Sequence, residues 1–293
     1  MKQIIESFKV IGIGDNVVDK YVHQGTMYPG GNALNFSAYA AMCGVQSAYL
    51  GKFGNDEVAR YIQQVIDELG IDRSRCRSYE GENGYARVTL EKGDRVFLGS
   101  NKGGIAKERA WEFTGGDLEY LKQFAVIHTS LNSYIEQDLT VLRESGVPIS
   151  FDFSVRWNDD YLQQVCPDID IAFLSCSHLT AEEREREMRK AQRLGVKVVV
   201  GTVGEEGSYA LYDDEWVYQQ AVSTDALDTM GAGDSYITAF LMELIRSAKD
   251  RHIEFGPKDK FLADIKASMG KGAEFAAQIC RVHGAFGFGA PLV

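Results

Sequence analysis

The segment Asp228-Thr229-Met230-Gly231-Ala232-Gly233-Asp234 carries the residue types that phosphoryl transfer needs. Small residues opening a helix leave backbone N–H groups unpaired and sterically accessible. With the helix dipole, they form an anion site. Asp234 falls in the first turn of that helix. Its carboxylate could take a proton from a hydroxyl while the amides hold the group under attack. The same spacing also fits an ordinary helix start with an acid in its first turn. It is not a Walker A loop, because no Gly-Lys-Ser/Thr follows. A second candidate is Gly30-Gly31, where bare backbone can approach a ligand and bond its hydroxyls, or simply turn into a helix. Asn32 and Asn35, three apart, share one face of that helix. Asp15 and Asp19 follow the first strand, at the strand end where open α/β sheets bind ligands. Asp152 and Arg156 follow another strand end. Arg156 is a candidate for a bidentate bond to a phosphate or carboxylate, or for a surface ion pair.

The elements that would position these groups alternate along the chain. Phe8 to Ile13 reads as a buried strand closed by a turn. Asn32 to Cys43 reads as an alanine-rich helix, Ala48 to Leu50 as a strand, and Asp56 to Leu69 as a helix ended by Gly70. Residues 85–98 alternate like a hairpin, turning at Glu91-Lys92-Gly93-Asp94. Further strands are expected at Ala125–Thr129, Ile149–Phe153, Ile171–Leu174 and Val196–Gly201, with helices between them. This rhythm predicts a doubly wound, mostly parallel sheet with helices on both faces. Glu182 to Lys190 reads as a solvated helix face laced by Glu182/Arg186 and Glu185/Arg189 pairs. The helix after Gly233 shows one apolar face through Ile237, Phe240, Leu241, Leu244, Ile245 and Ala248. A last helix spans about Phe261 to Arg281.

The chain has 293 residues, 45% hydrophobic and 25% charged, enough for a sizeable core. Its formal charge of −11, from 42 acids against 31 Lys and Arg, argues against a nucleic-acid partner. No run approaches a membrane span. Met1 to Phe8 lacks the apolar core of a secretion signal, so a cytoplasmic, unprocessed protein is expected. The five cysteines, Cys43, Cys76, Cys166, Cys176 and Cys280, include no CxxC pair and read as reduced core thiols. His128 and His178 stand alone near apolar strands, the setting of a satisfied core or pocket residue.

Three ordered motifs resemble the ribokinase-like (PfkB) carbohydrate kinase family over nearly the whole chain. They are Gly30-Gly31-Asn32-Ala33-Leu34-Asn35, Thr202-Val203-Gly204-Glu205-Glu206-Gly207 and Asp228 to Asp234. The resemblance implies a ribokinase-like α/β domain over 1–293 with a small β-sheet lid from about 16–30 and 82–104. It implies transfer of the ATP γ-phosphate to a sugar hydroxyl, with Mg2+ and a monovalent cation as a further candidate. Asp234 matches the family's base, and Gly231, Ala232 and Gly233 its anion hole. Asp15, Asp19, Gly30, Gly31 and Asn35 match sugar contacts, with Asp19 aligning better than Asp15. Thr202, Gly204 and Gly207 match nucleotide contacts, and His283 lies where the family packs against adenine or in a plain loop. One departure is that Ser175 and His178 stand where many members carry Asn and Glu, so no magnesium ligand is assigned. Gly14 to Asp19, Asp94 to Phe97, Phe151 to Trp157 and Asp228 to Ser235 look closest to the fructoselysine 6-kinase branch. That branch implies phosphorylation at the 6-hydroxyl of a fructose–amino acid conjugate. Open alternatives are a kinase for fructose, 2-keto-3-deoxygluconate or adenosine, and a non-catalytic sugar- or nucleotide-binding protein. A homodimer through the lid is the favoured assembly.

Overall fold

The computed structural model describes residues 7–91, 94–248, 253 and 255–293, with backbone alone at 90, 91, 94 and 95. In chain order the strands are β1 (Lys9–Gly14), β2 (Val17–Tyr21), β3 (Thr26–Gly30), β4 (Gln46–Phe53), β5 (Arg77–Ser78), β6 (Gly84–Glu91) and β7 (Asp94–Ser100). They continue as β8 (Ile127–Ser130), β9 (Ile149–Asp152), β10 (Ile171–Ser175), β11 (Val198–Thr202), β12 (Ser208–Tyr212), β13 (Glu215–Gln219) and β14 (Ala290–Pro291). The helices are α1 (Asn32–Met42), α2 (Glu57–Glu68), α3 (Ile105–Glu108), α4 (Gly115–Leu121), α5 (Leu139–Arg143), α6 (Asp159–Val165), α7 (Ala181–Arg193), α8 (Ala232–Ser247) and α9 (Lys258–Ile279).

Nine strands form one sheet in the order β13-β12-β11-β10-β9-β8-β1-β4-β5. It is parallel from β5 through β11, while β12 and β13 run antiparallel at one edge. One face is covered by a core that includes Leu121, Leu139, Leu162, Val165 and Met188. The other holds Phe36, Ala40, Phe240, Leu241, Ile265 and Met269. The expected doubly wound α/β architecture is therefore the observed one. Because the chain leaves β1 first toward β4 and later returns on its other side at β8, the winding reverses at β1. Such a reversal opens a crevice at the carboxyl ends of the strands.

Helix α1 reaches that crevice because its packing face is small. A Cβ on Gly12 would stand 2.2 Å from the Ala33 carbonyl, so only glycine lets α1 lie this close to β1. Helix α2 starts on Asp56, whose carboxylate accepts from the Ala59 amide at 2.9 Å, and buries Val58, Ile62, Val65 and Ile66.

A second sheet of five strands has the order β14-β3-β2-β6-β7. The hairpin read at 85–98 is β6 and β7, and the turn expected at Glu91–Asp94 includes residues 92 and 93, outside the described ones. The N-terminal stretch from Met1 also begins outside them. Within this sheet β2 pairs with β6, and β14 adds a strand from the far end of the chain. Two helix readings need correction. Helix α8 is buried on nearly all sides, not one face, because α1 and α9 both pack on it. Along α7, Glu185 pairs with Arg189 at 2.8 Å, but Arg186 pairs with Glu187 instead of Glu182. Arg184 and Glu187 are buried, so that helix is more than a solvated face. Arg184 lies over the Tyr209 ring, which an i,i+4 count cannot anticipate.

Candidate active site

The turn into α8 is built by two residues with different tasks. Gly231 caps the helix in the left-handed region, with φ 73°, and a Cβ there would stand 2.2 Å from the Tyr39 hydroxyl oxygen. Asp228 is fully buried and works as an anchor. It accepts from the Tyr21 hydroxyl at 2.6 Å and from the Met230 and Gly284 amides at 2.9 Å. It thereby fastens the turn to β2 of the second sheet and to the loop that carries His283. Gly233 is exposed at the start of the helix, with no atom within 4 Å of where a side chain would begin. The Ala232 amide beside it donates to the Thr229 carbonyl at 3.3 Å.

Asp234 is 7% exposed and is held by helix α1. Asn32 Nδ2 donates to its Oδ1 at 2.8 Å and Asn35 Nδ2 to its Oδ2 at 2.7 Å. The two asparagines expected to share a helix face thus converge on one carboxylate. Asn32 Nδ2 also donates to Asp152 Oδ2 at 3.0 Å. Its own Oδ1 accepts from Asn132 Nδ2 at 2.7 Å, and Asn132 Oδ1 accepts from the exposed Arg156 guanidinium. Burial in the company of Asp234 and Asp15 pushes the Asp152 carboxyl up to about 7.

The remaining predicted contacts fall into two groups. Around α1, Asp19 Oδ2 stands 2.7 Å from where a Gly30 Cβ would be, and Asn35 Oδ1 stands 3.9 Å from it. That Asn35 oxygen is buried without a hydrogen-bond partner. Glycine at 30 therefore leaves a small space bordered by a carboxylate and a free acceptor, which suits a hydroxyl donor. Gly31 holds φ 112°, and a Cβ would come within 2.7 Å of the Asp15 carbonyl. Asp15 is more deeply committed than its position suggests. Its carboxylate accepts from the Asn32 and Ala33 amides at 2.8 and 3.2 Å and from Ser133 and Ser130 at 3.1 and 3.2 Å. It serves as the cap of α1, and burial raises its pKa against those bonds.

The second group lies along β11. Thr202 ends that strand, and Gly204 (φ 55°) and Gly207 (φ 115°) bracket a tight turn into β12. These three stand on the β12 side of α8, linked to it through Ser208 Oγ and Tyr236 Oη at 2.7 Å. Ser175 pairs with Thr202 across the strands, and His178 is exposed against the Trp157 ring. Among the described residues, no group of three or more His, Cys, Asp or Glu could hold a metal ion. Asn132, Ser130 and Ser133 were missed from the sequence. The signal was present as a polar run, Ser130-Leu131-Asn132-Ser133, immediately after a buried strand end.

Residues 7–287 match the model of the pfkB family carbohydrate kinases. The chain belongs to that family. A fructosamine kinase of Bacillus subtilis (strain 168), FrlD, is 41% identical over 284 residues, covering 97% of this chain and 94% of the relative. The fructoselysine 6-kinase of Escherichia coli (strain K12) is 31% identical over 229 residues, covering 78% and 86%. Among solved structures, Arabidopsis thaliana ribokinase complexed with ribose and ATP superposes with a TM-score of 0.77 at 20% identity, covering 96% of this chain and 95% of that one. A Vibrio cholerae fructokinase gives 0.74 at 20% identity, covering 95% and 94%. The ribokinase-like fold and the carbohydrate-kinase class read from three motifs both stand. Among the described residues, no helix is long and apolar enough to cross a membrane.

Proposed function

We propose that this kinase transfers the γ-phosphate of ATP to the 6-hydroxyl of fructoselysine or a related fructose–amino acid conjugate. The observation that carries the substrate is 41% identity to a fructosamine kinase across nearly the full length of both chains. In this reading Asp234 takes the proton of the sugar hydroxyl as its oxygen bonds to the γ-phosphorus. The bond from that phosphorus to the β–γ bridging oxygen breaks, and ADP leaves. Amides at Gly231, Ala232 and Gly233 stabilise charge on the phosphoryl in flight. Asp19, Gly30 and Asn35 hold sugar hydroxyls, while Asp15 and Gly31 fix the helix start that presents them. Thr202, Gly204 and Gly207 receive the nucleotide. Bound with ATP, Mg2+ would supply positive charge to the phosphates; among the described residues no group of three or more His, Cys, Asp or Glu could hold it. The five-stranded sheet acts as a lid, its outer face serving a homodimer, and the enzyme works in the cytoplasm.

Two experiments test this. Asp234→Asn should reduce kcat by roughly 10²–10⁴ and leave ATP binding largely intact. Near wild-type turnover in that variant would sink the base assignment. ATP consumption should be compared with fructoselysine, fructose, 2-keto-3-deoxygluconate and adenosine. A higher kcat/KM for any plain sugar or nucleoside rejects the conjugate as substrate.

A further inference from the structure

Tyr134 holds φ 51°, a left-handed conformation that is uncommon for a bulky side chain. Two contacts fix its ring. The hydroxyl donates to the Lys102 carbonyl at 2.9 Å. A Cβ on Gly103 would stand 3.2 Å from the ring Cε2, so the ring lies close against bare backbone. Tyr134 is nevertheless 36% exposed. An aromatic residue held this firmly and left open does not serve a core. The Lys107 ammonium lies over the same ring, 5.3 Å from its centroid. Lys122, Lys190, Lys197, Lys258 and Lys271 each pair with a carboxylate. Lys107 has no such partner among the described residues, in a chain with 42 acids.

The pair stands beside the crevice. Tyr134 lies in the loop after β8, and β8 neighbours β1, where the winding reverses. Asn132, two residues earlier, donates to Asn32 at 2.7 Å, and Asn32 donates to Asp234 at 2.8 Å. Two residues of chain span at most ~7 Å, so Tyr134 begins a short step out from Asp234. Lys102 and Lys107 belong to the segment that follows β7 of the second sheet. We infer that Tyr134 and Lys107 determine specificity for the amino-acid part of the conjugate. The Tyr134 ring carries the methylenes of the lysine chain, and the Lys107 ammonium binds the α-carboxylate. The inference rests on the proposed substrate class and names the groups that read it. A plain hexose presents only hydroxyls, which gain little from an apolar ring or an unpaired ammonium. The conjugate offers the complement of both, an apolar tether ending in an anion. Because the ring is fixed before the substrate arrives, little side-chain freedom is lost on binding. Arg156, from the loop after β9, is the other cation near Tyr134, and its guanidinium is tied to Asn132.

The test compares kcat and KM for fructoselysine with those for the conjugate of fructose and 1,5-diaminopentane, which lacks only the carboxylate. The unaltered enzyme should favour fructoselysine by about fivefold to tenfold in kcat/KM. Lys107→Ala should raise KM for fructoselysine by about that factor, hold its kcat within about twofold, and leave the carboxylate-free conjugate unchanged. Lys107→Arg should restore most of the difference. Tyr134→Ala should raise KM for both conjugates about tenfold, whereas Tyr134→Phe keeps the ring and should stay within about threefold. Equal loss on both conjugates in Lys107→Ala overturns the inference, and so does a split that appears in Arg156→Ala instead. An unaltered enzyme that takes both conjugates equally, and prefers them to fructose, overturns it while leaving the substrate reading intact. Preference for fructose over both defeats the substrate reading, and the inference falls with it. Lys107 is exposed, so its variants should fold even where Tyr134→Ala does not.

Discussion

Replacing Gly31 by alanine tests whether the start of α1 is the part that aligns the site. Gly31 sits at φ 112° and ψ 134°, a region open essentially to glycine alone. Holding alanine there costs about 1–3 kcal/mol. The added Cβ would also stand 2.7 Å from the Asp15 carbonyl oxygen, 2.9 Å from Asn16 Cα and 3.0 Å from the Asp15 carbonyl carbon. All three are backbone atoms of the turn between β1 and β2, so no side chain can swing aside. Overpacking of this kind adds ~1–3 kcal/mol. The sum, about 4 kcal/mol, is a large part of a typical total stability of about 5–15 kcal/mol. Relief can come only by moving α1 away from the turn, which stretches the Asn32 and Asn35 bonds to Asp234, now 2.8 and 2.7 Å. A displacement near 1 Å costs about 10²-fold in rate. Urea unfolding and kcat at saturating substrates are the assays. Gly25→Ala is the control, because Gly25 has φ 62° with nothing within 4 Å of a Cβ, and should cost only ~1 kcal/mol. If Gly31→Ala behaved like its control, and kept kcat within threefold, the positioning argument would be wrong.

Two further outcomes follow from buried polar groups. Tyr21→Phe removes a 2.6 Å bond to the fully buried Asp228 and should destabilise the protein by about 1.5–3 kcal/mol in urea, lowering kcat as the turn before Asp234 loosens; an unchanged midpoint would refute the anchor role. Burial drives His128 down to about 3, well below its ordinary value of 6.5, so the folded protein binds fewer protons than the unfolded chain between these pH values and loses stability as pH falls through them. His128→Gln should therefore flatten the acid slope of unfolding free energy by about 1.4 kcal/mol per pH unit over that window, and parallel slopes would count against a neutral buried imidazole.

The parallel core was legible because strands buried on both faces are written as short apolar runs, Ile171–Leu174 and Val196–Gly201 among them. Helix starts were legible for a similar local reason: glycine pairs and capping acids act within a few residues. The pieces that escaped notice depend on distant partners. Strand β14 is two residues long and exists because β3 offers it an edge. The alternating reading of 85–98 gave no sign that β2 would lie parallel beside β6. Arg184 and Glu187 look like solvent charges until a neighbouring ring and cations enclose them. At the site, the motif residues announced themselves by type, but the network joining them did not. Asn132 and Ser133 meet Asn32 and Asp15 only across intervals of 100 and 118 residues.

That network also resolves a difficulty set by the acidic composition. A chain of net charge −11 that places buried carboxylates beside the proposed phosphate-binding helix start could be expected to neutralise them with lysine or arginine. The hydrogen bonds described here to Asp15, Asp152 and Asp234 come from side-chain amides, hydroxyls and backbone N–H groups. The choice has a chemical consequence. A guanidinium or ammonium in contact would hold a carboxylate well below its ordinary pKa and make it a poor proton acceptor. A neutral donor fixes a carboxylate's rotamer at a smaller loss of basicity. The exposed Arg156 donates to Asn132 and so lies two asparagines from Asp234, through Asn132 and Asn32.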